Sequence, residues 1–156
     1  MSVWFTGSGY ELKFDEVVKQ IECHLNKNGK LFIGTDSFLT KKSCVFATAI
    51  CLHGADEQSG GIYFIQRVKT SNKPFQHLML RILTEVEKTV DTALKISSLY
   101  PDADIELHLD ISASNTGAAT ARFSDALAGY AKSTGFSCKL KPYSWAAASV
   151  ADKHSK

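Results

Sequence analysis

Two aspartates stand where a carboxylate is costly. Asp36 follows the apolar run Leu31-Phe32-Ile33 in the segment Ile33-Gly34-Thr35-Asp36-Ser37, and Asp110 lies between Leu109 and Ile111. Each falls in what reads as a central β-strand, where an ionised group with no partner is strongly disfavoured. A bound cation would offset that cost. Clustered carboxylate oxygens suit hard ions, Mg²⁺ first and Mn²⁺ next. Cys23, Cys44, Cys51 and Cys138 show no C-x-x-C spacing, which argues against zinc. Two further acids belong to the same inventory. Asp152 lies in the last helical segment, and the long central helix carries Glu85 at one border of its apolar stripe and Glu87 at the other. Periodicity does not choose between those two glutamates.

The elements that position these acids follow from pattern. Phe14, Val17, Val18, Ile21 and Leu25 recur at helical spacing and predict an N-terminal helix that stops at Asn28-Gly29. Leu31 to Asp36 is then a buried central strand. Cys44 to Leu52 and Ile62 to Val68, separated by the turn-forming stretch from His53 to Gly61, complete an antiparallel three-stranded meander. After Ser71-Asn72-Lys73-Pro74, the apolar positions Leu78, Met79, Ile82, Leu83, Val86, Val90, Ala93 and Leu94 mark the longest helix, closed by Pro101. Ile105 to Ile111 is the next strand. Ala118 to Lys132 is a helix, Ser137 to Leu140 a short strand, and Ala146 to His154 a final helix favoured by its alanines.

The chain has 156 residues, 44% of them hydrophobic and 22% charged, the balance of a globular chain with a core of its own. Residues 1–30 are expected to be a helical extension packed on a single domain formed by residues 31–156. The longest apolar stretch, Val45 to Leu52, is interrupted by Thr48 and falls far short of the ~20 residues of a membrane span. No secretory signal is visible at the N-terminus, so we expect a reduced cytoplasmic protein whose cysteines are mostly buried and unbridged. A net charge of +2 is too small to announce a nucleic-acid partner by field strength alone. From Phe136 onward, however, Lys139, Lys141, Lys153 and Lys156 outnumber the single Asp152.

Without the first helix, the order βββαβαβα describes an α/β fold with a five-stranded mixed sheet flanked by helices: a meander followed by strands joined through helical crossovers. That order is the ribonuclease H-like arrangement. Three segments carry a closer resemblance: Ile33-Gly34-Thr35-Asp36-Ser37, His108-Leu109-Asp110-Ile111, and the stretch from Lys141-Pro142-Tyr143-Ser144-Trp145 through Ala151-Asp152-Lys153-His154. Together they resemble the signature blocks of the YkuK-type ribonuclease H-like proteins, across nearly the whole chain. The resemblance implies an acidic tetrad of Asp36, Glu85, Asp110 and Asp152 serving both catalysis and metal binding, and it alone prefers Glu85 over Glu87.

The implied chemistry is phosphodiester hydrolysis with two Mg²⁺ or Mn²⁺ ions about 4 Å apart. Asp36 would bridge the ions, Glu85 and Asp110 would complete one, and Asp152 would hold the other. On the substrate side, Lys141 or His154 would meet a phosphate, and the polar loop from Ser112 through Asn115 leads to a helix start where a phosphate fits. His108, on the strand face of Asp110, is placed to orient it. Tyr143 and Trp145, beside Lys139 and Lys141, could stack on bases. The expected partner is RNA, an RNA:DNA hybrid or structured DNA, with no membrane; the oligomeric state is left open. The alternative is a non-catalytic nucleic-acid or protein-binding module that retains the fold. An actin-like ATP-binding protein is disfavoured by length and by the lack of a phosphate-binding glycine motif.

Overall fold

The computed structural model describes residues 3–112 and 121–156. Its strands are β1 (Val3–Thr6), β2 (Glu11–Lys13), β3 (Lys30–Leu39), β4 (Ser43–His53), β5 (Ile62–Ser71), β6 (Ile105–Ser112) and β7 (Ser137–Lys141). Its helices are α1 (Phe14–Leu25), α2 (Leu78–Leu99), α3 (Ala121–Lys132) and α4 (Asp152–Ser155), the last continuing a π-helical stretch, Ala146–Ala151. All strands join one sheet in the order β2-β1-β5-β4-β3-β6-β7. The meander β3-β4-β5 is antiparallel, and β6 and β7 add parallel to β3 and to each other.

The sheet therefore has seven strands where the sequence led us to expect five. The two additional strands form an N-terminal hairpin that pairs through β1 with the outer edge of β5. They escape periodicity because they are four and three residues long, and only Trp4 among them is buried. The numerical centre of the sheet shifts accordingly from β3 to β4.

Strand β4 shows what a central position demands. Its residues from Cys44 to Leu52 are buried without a break, because both sheet faces are covered. On one face Leu31, Ile33, Ile50 and Leu107 pack against α2 and against Val17 and Ile21 of α1. Each such fully buried aliphatic side chain is worth about 1.5–3 kcal/mol. The other face is floored by small residues, Ala47, Ala49 and Cys51, and receives Ala146, Val150 and Ala151 of the C-terminal helical stretch.

Gly34 sets how closely that stretch approaches. A Cβ added there would lie 2.5 Å from the Ala147 backbone nitrogen, so the C-terminal helix rests on bare backbone. Gly34→Ala is expected to lower stability by about 3 kcal/mol, roughly 10 °C in Tm by thermal denaturation. An unchanged melting temperature would mean the helix can lift away freely.

The four cysteines are unbridged; Cys44 and Cys51 are buried, Cys138 is half-buried and Cys23 is exposed. Burial pushes the Cys51 thiol up to about 12. No helix among the described residues is long and apolar enough to cross a membrane.

Candidate metal centre

The β3–β6 ladder runs from Leu31 opposite Ile105 to Gly34 opposite His108 and ends there. Two residues further along each strand, the same register sets Asp36 beside Asp110. On the far side of Asp110 the β6–β7 pairing is irregular: His108 faces Lys139, but Ser112 already faces Lys141. Extra residues on one strand re-aim side chains locally. The opening past the ladder's end is where a side chain from α2 can reach the two aspartates.

That side chain is Glu85. It is 4% exposed, whereas Glu87 points to solvent, so the helix places only one of the two glutamates at the sheet. Axial position is held by a buried threonine chain: Thr89 Oγ1, one turn after Glu85, lies 2.9 Å from Thr35 Oγ1, which lies 3.0 Å from Thr48 Oγ1. The Ser37 hydroxyl donates to Glu85 Oε2. One carboxylate oxygen from each of Asp36, Glu85 and Asp110 lies within 4.8 Å of the other two. Glu85 Oε1 is buried with no hydrogen-bond partner among the described residues.

Asp152 enters from the opposite sheet face, as the first residue of α4. A hydrogen bond shared with Asp36 holds its carboxyl below the ordinary aspartate range. Lys156 reaches back to within 3.3 Å of it. Asp36, 7% exposed, is pushed up to about 8 by burial first, then by hydrogen bonding to Asp110 and Asp152 and by the charge of Asp110. Burial likewise pushes Glu85 well above the ordinary glutamate range. Without a cation Asp36 favours its protonated form at neutral pH, and Glu85 is shifted in the same direction. A hard cation fits this set: it would supply a partner for the orphaned Glu85 oxygen and replace the protons that now hold the carboxyls together.

The residues assigned to the substrate side are distributed differently. Lys141 Nζ lies 2.8 Å from Asp110 Oδ1. Burial alone would lower the Lys141 pKa, but the hydrogen bond to Asp110 and the nearby Asp36 and Glu85 outweigh it and hold the amine above the ordinary lysine value. The His154 ring nitrogen Nε2 lies 3.1 Å from the Tyr63 hydroxyl, and burial together with Lys153 and Arg67 lowers its pKa. Ser112 ends β6 beside Lys141, and Asn115 lies outside the described residues. Tyr143 is exposed, and Trp145 packs with its ring centroid 4.9 Å from Phe32 and 5.1 Å from His108.

His108 has a different task from orienting Asp110. It is 0% exposed; its Nδ1 accepts the Ala146 N–H at 3.0 Å, so its proton sits on Nε2, 2.8 Å from Glu106 Oε2. Burial lowers its pKa, which keeps the ring neutral and able to accept. The ring thus fastens the start of the helical stretch that delivers Asp152. Two further contacts had no signal in the sequence beyond spacing: Ser37, next to Asp36, and Ser155, whose hydroxyl lies 3.5 Å from Asp36 Oδ2.

Residues 13–156 match the model of a protein family described as Ribonuclease H-like. The chain belongs to this ribonuclease H-like family, the YkuK type. No curated protein and no solved structure matches it. Proteins of ribonuclease H-like fold often bind divalent metals, and the acid cluster of Asp36, Glu85 and Asp110 lies within such a fold.

Proposed function

We propose that this ribonuclease H-like protein is a divalent-metal-dependent nuclease that hydrolyses phosphodiester bonds of a nucleic acid. The observation that carries the reading is the meeting of Asp36, Glu85 and Asp110 within 4.8 Å, with one buried Glu85 oxygen left unpartnered. Asp36, Glu85 and Asp110 would hold Mg²⁺ or Mn²⁺, and Asp152 would join from the C-terminal helix as ligand to a second ion. When bound, such ions supply an activated water and stabilisation of the leaving oxygen.

The chain's own residues prepare that site. Ser37 orients Glu85, the threonine chain keeps α2 at the right height, and His108 fastens the helix that carries Asp152. Lys141, paired with Asp110, limits the repulsion that a cluster of acids would exert on a phosphate, and with Ser112 and His154 it makes up the substrate side in this reading.

The test is a panel of labelled single-stranded RNA, RNA:DNA hybrid, single-stranded DNA and four-way junction, incubated with Mn²⁺ or with chelator. Cutting of at least one member in Mn²⁺ and none in chelator is expected. Failure to cut any member would favour a binding module that retains the fold. Within the same assay Glu85→Gln should lose activity by about 10²-fold or more, as expected for a lost ligand, while the exposed Glu87→Gln stays within twofold of wild type. Equal effects of the two changes would remove Glu85 from the site.

A further inference from the structure

Beside the acid cluster the sheet carries a second feature that metal binding does not use. Asp36 pairs with Ala47, and Ala47 with Arg67; one row further out Phe38 pairs with Val45, and Val45 with Lys69. Residues directly opposite in a ladder project to the same face. Asp36, Phe38, Arg67 and Lys69 therefore share the face on which the C-terminal helix lies. That helix covers Asp36 and Ala47, while Phe38, Arg67 and Lys69 around the buried Val45 stay exposed. Phe38, Val45, Arg67, Lys69, Ser155 and Lys156 line a groove of about 430 Å³.

Its chemistry is specific. Arg67 and Lys69 are exposed and make no ion pair among the described residues, so two cations stand unneutralised next to a concentration of acids. Lys41 and Lys42, in the β3–β4 turn, extend the positive charge outward at the same end of the sheet. Arg67 is two strands from Asp36, roughly 10 Å, a span a nucleic-acid backbone crosses in a few nucleotides. On the floor lies Phe38, 39% exposed, an aromatic face in a groove whose charged side chains are all cationic. A base can stack on such a face only when it is unpaired.

We propose that this groove seats an unpaired nucleic-acid strand flanking the phosphate presented to the acids, with Arg67 and Lys69 holding its phosphates and Phe38 stacking on a base. The substrate class is then single-stranded nucleic acid, or a duplex with an unpaired flank, rather than a continuous duplex. The inference rests on the nuclease reading for where the strand leads, while the binding itself can be measured without cleavage.

Fluorescence anisotropy of labelled oligouridine, oligothymidine and a blunt duplex, in Ca²⁺ over a range of salt, reads the binding. A gel assay of the same strands in Mn²⁺ reads cleavage separately. Wild type should bind the single strands more tightly than the duplex. The double change Arg67→Ala with Lys69→Ala should flatten the salt dependence of log K by about 1.4, since each lost phosphate contact on a single strand is worth about 0.7. Phe38→Leu, which keeps an apolar side chain but removes the ring, should weaken single-strand binding about tenfold and leave duplex binding unchanged. All three side chains are exposed, and unchanged melting temperatures would exclude misfolding as the cause.

Variants that bind as wild type does, or a wild type that prefers the duplex or binds no strand, would overturn the groove. If wild type cuts in Mn²⁺ and the variants cut equally well, the groove fails and the nuclease reading stands. If the variants lose binding but wild type never cuts, the groove stands and the nuclease reading fails.

Discussion

Replacing Asp36 with Asn should abolish Mn²⁺-dependent cleavage while making the ion-free protein at neutral pH more stable than wild type, because Asn has no proton for the unfolded chain to release. The two halves of that expectation have one cause. In the ion-free protein, burial and the neighbouring carboxyls push Asp36 up to about 8, so at pH 7 it is a neutral acid, and Asn is a neutral group of nearly the same volume. Little packing is lost. To hold divalent ions the same position would have to supply a negative charge, and Asn has none to give. Loss of several kcal/mol of transition-state stabilisation corresponds to at least about 10³-fold in rate. Gel cleavage and thermal denaturation of the same preparation check both halves. Cleavage within tenfold of wild type would remove Asp36 from the reaction.

A second large effect follows from the protons. The folded-state pKa of Asp36 is raised from an ordinary 3.8 to about 8, so the folded chain binds a proton more tightly than the unfolded one. That stabilisation is complete below pH 3.8 and is lost as pH rises to about 8. Each group so shifted removes up to about 1.4 kcal/mol per pH unit inside the window. Burial shifts Glu85 in the same direction. The hydrogen bond with Asp36 shifts Asp152 the opposite way, so its contribution is lost only as pH falls below the ordinary aspartate value, outside this window.

A divalent ion must displace the Asp36 proton to bind, so its affinity should rise about tenfold per pH unit over the same range, more steeply where Glu85 also gives up a proton. Chelated protein should therefore melt lower at pH 8 than at pH 5, and the upward shift in Tm on adding Mn²⁺ should be larger at pH 8. Melting curves at both pH values, with and without Mn²⁺, report both trends. An Mn²⁺ shift independent of pH would mean that no proton is displaced and that the ion binds elsewhere.

The parts of this architecture legible in the sequence are those written by burial. Leu31 to Asp36, Cys44 to Leu52 and Ile105 to Ile111 announce themselves because internal strands must be apolar, and α2 because its stripe recurs over many turns. The β1–β2 hairpin lies at the other extreme: Gly7-Ser8-Gly9 marks its turn, but its strands are too short for alternation to register. Within the site, Asp36 and Asp110 stood out as charges in apolar strands. Glu85 did not, because Glu85 and Glu87 flank the same helical stripe and only the way α2 is turned about its axis against the sheet decides which one is buried. The π-helical stretch, the Gly34 contact and the grip of His108 on Ala146 are tertiary facts with no local pattern, and it is they that bring α4 and Asp152 to Asp36.

A crystal of the chain soaked in Mn²⁺, with data collected for the anomalous signal of manganese, puts the whole account at risk. We expect anomalous density among the carboxylates of Asp36, Glu85 and Asp110, with a second peak toward Asp152, and none at that place in crystals of Asp36→Asn. A map whose manganese peaks lie only on scattered surface carboxylates, with Asp36 and Glu85 still hydrogen-bonded to their neighbours, would contradict it.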